Sequence, residues 1–329
     1  MTNKSMKQGA GDRVKAPTHI GDAINLSLEL AEKSQGGTLG IPSGYPSLDR
    51  ITRGWSAGDL VVIGGRPGTG TTALALGMAR NAAVDFGVPT AFFSLESTVM
   101  EMTDRLIVSE SGIPMEKLHG ERAMQEDDWQ RMEASLKRLS EAPLYLDDTP
   151  PGLPPEYRIT EFQSQAEPLT KDRKVKLFVI DNLQATVPDW TGWEPECLAH
   201  ECRKTLHFLK RTAESLGAAV IVLSSLGRPV RKGITWPTLK DFDEYCPNAE
   251  DFADKIILLH KATFPDLGKD TDDVAEELLI ASLVLNRKGR TGAVCLSFDQ
   301  GRIRVENPEE GRSAAGRMPI TDTTEPGTF

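Results

Sequence analysis

A glycine-rich segment has the composition and spacing of a phosphate-binding loop. It reads Gly65-Arg66-Pro67-Gly68-Thr69-Gly70-Thr71-Thr72, after the apolar run Leu60–Ile63 and before a helix-like apolar stretch that ends at Ala79. A strand, a glycine loop and a helix in this order turn backbone N–H groups and the helix N-terminus toward a phosphate. The Thr72 hydroxyl can then ligate Mg²⁺, whereas Thr71 stands where a lysine normally reaches the β- and γ-phosphates. These residues predict a site for ATP and Mg²⁺ that lacks its usual positive charge.

Two carboxylates end other apolar runs. The run Leu177–Ile180 leads into Asp181, and the carboxyl edge of a parallel sheet would bring this acid beside the loop, where it can hold Mg²⁺ through water. The run Phe92–Leu95 leads into Glu96, which can orient and deprotonate an attacking water. A strand that ends in an acid is common, so the residues alone favour an ordinary surface role for Glu96.

The elements that must position these groups alternate between strands and helices. Short apolar runs predict strands at Thr90–Leu95, Leu144–Leu146, Leu177–Ile180 and Ala218–Leu223. Charged, helix-like segments separate them, for example Asp127–Glu141 and His200–Leu216. This alternation predicts an α/β fold with a mostly parallel, twisted sheet and helices on both faces. Three later runs predict further strands, some antiparallel at one edge: Ile256–His260, Leu278–Leu285 and Ala293–Phe298.

The chain divides into three predicted parts. Residues 1–39 predict a flexible N-terminus and a short linker helix, Ile20–Lys33, whose apolar stripe could pack on its own domain, as composition favours, or on a neighbouring subunit. Residues 40–306 contain every predicted strand and form one domain. Within it, Thr149–Pro155 predicts a proline-rich loop and Phe264–Glu277 an exposed acidic excursion. Residues 307–329 are poor in apolar side chains and predict a disordered tail.

Composition restricts the function further. The formal net charge of −10 argues against a small basic module that binds duplex DNA broadly, but not against a ring that holds a single strand on a few loops. The four cysteines form no CxxC pair, and the five histidines complete no zinc pattern. No run approaches the ~20 apolar residues that span a bilayer. The polar N-terminus resembles no secretory signal, so we expect a cytoplasmic protein without a membrane partner.

A series of short motifs follows in order along residues 40–306. They are Gly40-Ile41-Pro42-Ser43-Gly44-Tyr45, Gly58-Asp59-Leu60, the phosphate loop, Ser94-Leu95-Glu96, Glu126-Asp127-Asp128-Trp129, Tyr145-Leu146-Asp147-Asp148, Ile180-Asp181-Asn182-Leu183-Gln184 and Val220-Ile221-Val222-Leu223-Ser224-Ser225. Together they resemble the C-terminal motor domain of DnaB-type replicative DNA helicases. The resemblance does not extend to the family's separate N-terminal helical domain, which we expect to be absent.

This resemblance implies a RecA-like P-loop ATPase that forms a homo-oligomeric ring, usually a hexamer, and threads single-stranded DNA through its pore. It assigns Thr72 and Asp181 to Mg²⁺ and Glu96 to catalysis. It assigns Arg287, in Leu285-Asn286-Arg287-Lys288-Gly289, to the arginine finger that one subunit supplies to its neighbour. Without the resemblance, composition alone would favour the interpretation of Arg287 as a surface arginine near a turn. A loader, a primase or an active helicase would be possible partners.

The resemblance also implies DNA contacts in two loops, residues 228–233 and 241–250. The first carries Arg228, Arg231 and Lys232, which suit phosphate contacts, although three basic residues in a loop are more often a solvated surface. The second loop is acidic, which does not suit them.

Four positions depart from the family pattern. Thr71 replaces the loop lysine, Ser225 a glutamine that couples the γ-phosphate to the DNA loops, and Leu285 a lysine that often assists the finger. Asn182 replaces an aromatic residue. Loss of one preorganised donor costs about 3–4 kcal/mol of transition-state stabilisation. The chain is therefore either a helicase with impaired hydrolysis, with Arg66 or Lys288 as a substitute cation, or a catalytically silent relative that pairs with or regulates an active helicase. A recombination- or clock-type RecA-like ATPase is a weaker third interpretation.

Overall fold

The structure is a computed structural model that describes residues 19–21, 24, 39–148, 155–186, 195–227, 236–242, 246–262 and 277–307. Its helices are α1 Pro46–Thr52, α2 Thr71–Arg80, α3 Val99–Ser111, α4 Met115–Leu118, α5 Glu126–Glu141, α6 Pro155–Arg173 and α7 Pro195–Leu216. Its strands are β1 Leu60–Gly65, β2 Thr90–Ser94, β3 Leu144–Asp148, β4 Leu177–Asp181, β5 Ala219–Ser225, β6 Lys255–Ala262, β7 Glu277–Asn286, β8 Gly292–Asp299 and β9 Arg304–Glu306.

The strands form one sheet in the order β3-β2-β4-β5-β1-β6-β7-β8-β9. The pairings from β3 to β6 are all parallel, and those from β6 to β9 are antiparallel. This confirms the mostly parallel sheet with an antiparallel edge. Since parallel strands share one direction, the ends of β1, β2, β4 and β5 lie at a single carboxyl edge.

Both faces of the sheet are buried, as the continuous apolar runs require. In β1, Val61 and Ile63 belong to a core cluster with α2 and α3, whereas Leu60 and Val62 belong to a second cluster with α6 and α7. Alternate residues of a strand point to opposite faces, so one run of six residues serves both clusters. The helices on the two faces confirm the predicted layers.

Two helices begin at local sequence signals that were not used in the prediction. Helix α1 begins with Pro46, which is favoured in the first helical turn because it lacks an N–H. Helix α3 begins after a capping box in which Thr98 and Glu101 each accept a hydrogen bond from the other's backbone N–H. Strand β9 was not predicted either.

Some predicted boundaries were wrong. Pro155, expected in a loop, is the first residue of α6, and α7 begins at Pro195 rather than at His200. Both prolines occupy the helix start that suits them. Residues 149–154 and most of the excursion at 264–277 lie outside the described residues, as does the tail from 308. Of the linker helix, Ile20, Gly21 and Ile24 are described, and both isoleucines are exposed. Among the described residues, no helix is long and apolar enough to cross a membrane.

Candidate nucleotide-binding site

The glycine-rich segment forms a tight turn between β1 and α2. Gly68 and Gly70 have φ values of 80° and 90°, in the left-handed region that disfavours side chains. Gly65 is required for a different reason, since a Cβ atom there would collide with the hydroxyls of Thr69 and Thr71. The loop therefore brings backbone groups and the N-terminus of α2 together at the carboxyl edge of the sheet, as a phosphate site requires.

Thr71 cannot provide the missing charge, and its hydroxyl faces back into the loop. Its Oγ1 lies 3.2 Å from Oγ1 of Thr69, which itself donates to the carbonyl oxygen of Arg66 at 2.7 Å. A hydroxyl has one hydrogen, so Thr69 accepts in the first contact and Thr71 donates. The Thr71 hydrogen is consequently used inside the loop.

Thr72 and Asp181 meet as the sequence predicted. Thr72 Oγ1 donates to Asp181 Oδ2 at 2.8 Å, and the aspartate is only 4% exposed. Burial raises the pKa of the Asp181 carboxyl to about 6. The hydrogen bond from Thr72 opposes this shift by favouring the charged form, whereas the nearby charge of Glu96 adds to it. A hydroxyl and a buried carboxylate in contact are oxygen ligands that suit Mg²⁺, so the donor set fits that ion.

Glu96 lies beside this pair because β2 and β4 are neighbours, with Ser94 opposite Asp181. The Ser94 hydroxyl accepts from the backbone N–H groups of Glu96 and Ser97 and so fixes the turn. Asn182 Nδ2 donates to Glu96 Oε1 at 2.6 Å, and Asn182 Oδ1 accepts from the N–H of Ala185 at 3.0 Å. The second bond sets the orientation of the amide. Sequence reasoning noted Asn182 as a departure from the pattern but missed this contact with Glu96.

Arg66 is engaged by groups outside the loop. Its Nη2 forms an ion pair with Asp241 Oδ1 at 3.2 Å, and its Nε donates to the carbonyl oxygen of Gly227 at 3.4 Å. Asp241 also accepts from the N–H of Thr238, and its carbonyl oxygen accepts from the N–H of Gly227. Arg66 thus ties the loop to the segments that flank residues 228–235.

The predicted DNA contacts Arg228, Arg231 and Lys232 lie outside the described residues. In the described part of the chain, the side chain of Gln184, which follows β4, bonds to the end of β5: its Oε1 accepts from the N–H of Ser225 at 3.0 Å, and its Nε2 donates to Ser224 Oγ at 2.9 Å. Ser225 therefore contributes its backbone to this edge, while the amide comes from Gln184.

Two residues near the loop were not predicted. The Phe298 ring packs against Gly70, where a Cβ atom would lie 3.3 Å from the ring, and Lys261 Nζ lies 5.9 Å from the ring centroid. Lys261 lies in β6 and Phe298 in β8, about two hundred residues after the loop. No local spacing in the sequence connects them to the loop.

Arg287 lies at the opposite edge of the sheet. Asn286, the last residue of β7, pairs with Lys255, the first residue of β6. Since β1 and β6 are parallel, the end of β7 is a strand length, about 20 Å, from the phosphate loop of the same chain. Arg287 Nε donates to the carbonyl oxygen of Ala253 at 2.7 Å, and its Nη2 to that of Glu250 at 2.7 Å. Lys288 shares this edge, so neither residue reaches the loop of its own chain.

The comparisons with known proteins agree with this geometry. The family model of the DnaB-like helicase C-terminal domain matches residues 40–307. The chain belongs to this DnaB-like family. Replicative DNA helicase DnaB of Leifsonia xyli subsp. xyli (strain CTCB07) is 31% identical over 281 residues, which cover 84% of the chain and 58% of that relative. The chain thus spans less than two thirds of the relative's length.

Two solved structures share the DnaB-like fold. The ATPase domain of G40P has a TM-score of 0.75 at 27% identity, with 89% of this chain and 100% of that chain covered. A DnaB-like replicative helicase, studied with its interactions with primase, has a TM-score of 0.72 at 27% identity, with 89% and 68% covered. The predicted α/β, RecA-like fold and the resemblance to the DnaB-type motor domain are confirmed.

Proposed function

We propose that this DnaB-like domain is the motor of an ATP-dependent DNA helicase or translocase that acts on single-stranded DNA in replication. The observation that carries the proposal is the contact between Thr72 and Asp181, with Glu96 in the turn that follows the adjacent strand β2. These three side chains come from three separate parts of the sequence and meet beside a phosphate loop. That convergence is what ATP hydrolysis with Mg²⁺ needs.

Each residue has a defined task in this proposal. The backbone of the loop and the N-terminus of α2 would hold the phosphates, and Thr72 and Asp181 would hold Mg²⁺. Bound Mg²⁺ neutralises charge on the phosphate oxygens. Glu96 Oε accepts a proton from the attacking water, and Asn182 keeps that carboxylate in one orientation. The flat ring of Phe298 lies against Gly70 of the loop, with the ammonium of Lys261 near it, and is the side chain on which an adenine base would stack.

The position of Arg287 supports an assembly of several copies. An arginine on the edge opposite the loop cannot serve the nucleotide of its own chain, but it can serve that of a neighbour in a head-to-tail ring. A homo-oligomeric ring, of the hexameric type that the resemblance implies, would complete each site. Such a ring could hold single-stranded DNA through Arg228, Arg231 and Lys232, and a loader or primase would be a further partner.

The second candidate is a catalytically silent relative that binds nucleotide and pairs with or regulates an active helicase. Two observations favour it. The Thr71 hydroxyl donates within the loop, and Arg66, which the sequence offered as a substitute cation, is paired with Asp241. Lys288 is excluded as a substitute in its own chain by its position at the other edge of the sheet.

The test is Mg²⁺-dependent ATP turnover with and without single-stranded DNA. The native chain is compared with Thr71→Lys, Glu96→Gln and the double variant, and Thr160→Lys on α6 adds the same charge elsewhere as a matched control. Native turnover that DNA stimulates and Glu96→Gln abolishes supports the motor. Native turnover at the background rate, with turnover by Thr71→Lys about 10²-fold or more above that background, supports the silent relative. No turnover in any variant would reject ATP hydrolysis at this site.

A further inference from the structure

A buried ion cluster lies at the start of β1, at the edge of the sheet that carries Arg287. The Asp59 carboxylate is fully buried, and each oxygen accepts from a different lysine: Oδ2 from Lys255 Nζ and Oδ1 from Lys288 Nζ, both at 2.5 Å. The N–H of Ser56 also donates to Oδ2 at 3.0 Å. Burial opposes ionisation, but the two lysines outweigh it and hold the pKa of Asp59 below its ordinary value.

The second lysine exceeds what charge balance requires. Lys255 is 2% exposed and by itself neutralises the buried carboxylate, whereas the Lys288 side chain is 53% exposed and could remain in water. Drawing an exposed ammonium to a buried oxygen restricts a flexible side chain, so the contact has a positional effect on the segment that carries it.

That segment is the turn of Arg287. The N–H of Arg287 donates to the carbonyl oxygen of Asp254 at 2.9 Å. Asp254 is held in turn, since its Oδ2 accepts from the N–H of Leu60 at 2.8 Å and from Lys210 Nζ at 2.7 Å. Arg287 and Lys288 are consecutive residues of one turn, so the contact of Lys288 with Asp59 fixes the backbone from which the Arg287 side chain leaves.

We propose that Lys288, through its ion pair with Asp59, is a positioning residue that fixes the direction in which Arg287 is presented to a neighbouring subunit's nucleotide. This rests on the proposed function, in which Arg287 completes the neighbour's site. Lys288 itself touches no nucleotide in this arrangement. Its effect therefore depends on Arg287, and this dependence separates a positioning role from a contribution to stability alone.

The experiment measures binding of ADP with magnesium and aluminium fluoride, which mimics the transferring phosphoryl group, to the assembled protein by displacement of a fluorescent ADP. The variants are Lys288→Met, Arg287→Ala, their double variant and Lys288→Arg, with Arg290→Met on the same turn as the matched control. Each is made in the native chain and in Thr71→Lys, so that the loop's missing charge does not limit binding. ADP with magnesium alone is the reference ligand.

We expect Lys288→Met to weaken analogue binding about tenfold, with little effect on ADP alone, because the arginine is misdirected. The loss should vanish in the Arg287→Ala background and be reversed in Lys288→Arg. An unchanged affinity in Lys288→Met, or a loss that adds to that of Arg287→Ala, would overturn the positioning role and leave the helicase proposal standing. If Arg287→Ala itself has no effect, the trans arginine of the proposed function fails, and the role of Lys288 fails with it.

Discussion

The burial of Asp181 predicts how the free energy of unfolding depends on pH. In the ligand-free protein, burial raises the pKa of this carboxyl to about 6, whereas an exposed aspartate has a pKa of 3.8. The folded state therefore holds the proton more tightly than the unfolded state does between about pH 4 and 6. Each pKa unit corresponds to 1.36 kcal/mol, so ionised Asp181 lowers the free energy of unfolding by about 3 kcal/mol above pH 6.

Asp181→Asn removes this titration with little change in shape. The asparagine Oδ1 can still accept the hydrogen bond from Thr72 and cannot ionise. The two proteins should have similar unfolding free energies at pH 4, where the side chain is neutral in both folded states. The variant should become more stable than the native protein as the pH rises, with a difference of about 3 kcal/mol at pH 8. Urea denaturation at a series of pH values measures this difference, and titrating groups that do not interact with Asp181 cancel in it.

With nucleotide and Mg²⁺ bound, the native protein should be more stable than Asp181→Asn, because the metal binds the charged form of Asp181. The affinity of the native protein should fall by about tenfold for each pH unit below 6, and that of Asp181→Asn should lack this component. The variant also corrects for the terminal phosphate of the nucleotide, which titrates near pH 6. A stability difference that stays constant from pH 4 to 8, or a variant less stable at pH 8, would refute the argument from burial.

Three further predictions concern the same edge. Arg66→Met should leave nucleotide affinity within about threefold of native but remove stimulation by single-stranded DNA, since the ion pair with Asp241 joins the loop to the segments that flank the proposed DNA contacts; equal stimulation in the variant would contradict this. Asn182→Leu should lower turnover by about tenfold, because a hydrogen bond to a charged group contributes about 1.5–3 kcal/mol to holding Glu96, and recovery in Asn182→Gln is the control. Gly65→Ala should lower the free energy of unfolding by about 1–3 kcal/mol through overpacking in the loop, which thermal unfolding measures.

Features that repeat locally in the sequence were predictable. The apolar runs fixed eight of the strands to within one or two residues, because a strand buried on both faces tolerates few polar side chains. The acids at the ends of β2 and β4 could be assigned to the loop's edge, since parallel strands align their carboxyl ends. The convergence of Thr72 and Asp181 follows from that rule alone.

What sequence reasoning missed depends on pairings between distant segments. The contact of Phe298 with Gly70 requires knowing that β6 lies beside β1 and that the chain then returns through β7 and β8. Likewise, the sequence offered Arg66 as one of two substitute cations, but its ion-pair partner, Asp241, lies 175 residues later in the chain. Charge partners at such separations leave no periodic signal.

Because β6 and β7 run in opposite directions, the number of complete sites depends on how many copies assemble and whether they close into a ring. The reversal of direction sends the chain back across the sheet, so that one copy carries its phosphate loop at one edge and Arg287 at the other. With the trans arginine proposed above, an open string of copies always leaves one loop without an arginine and one arginine without a loop. Activity per chain should then increase with the length of the string, and only a closed ring uses every half-site. The number of active sites per chain therefore shows whether the assembly is a closed ring.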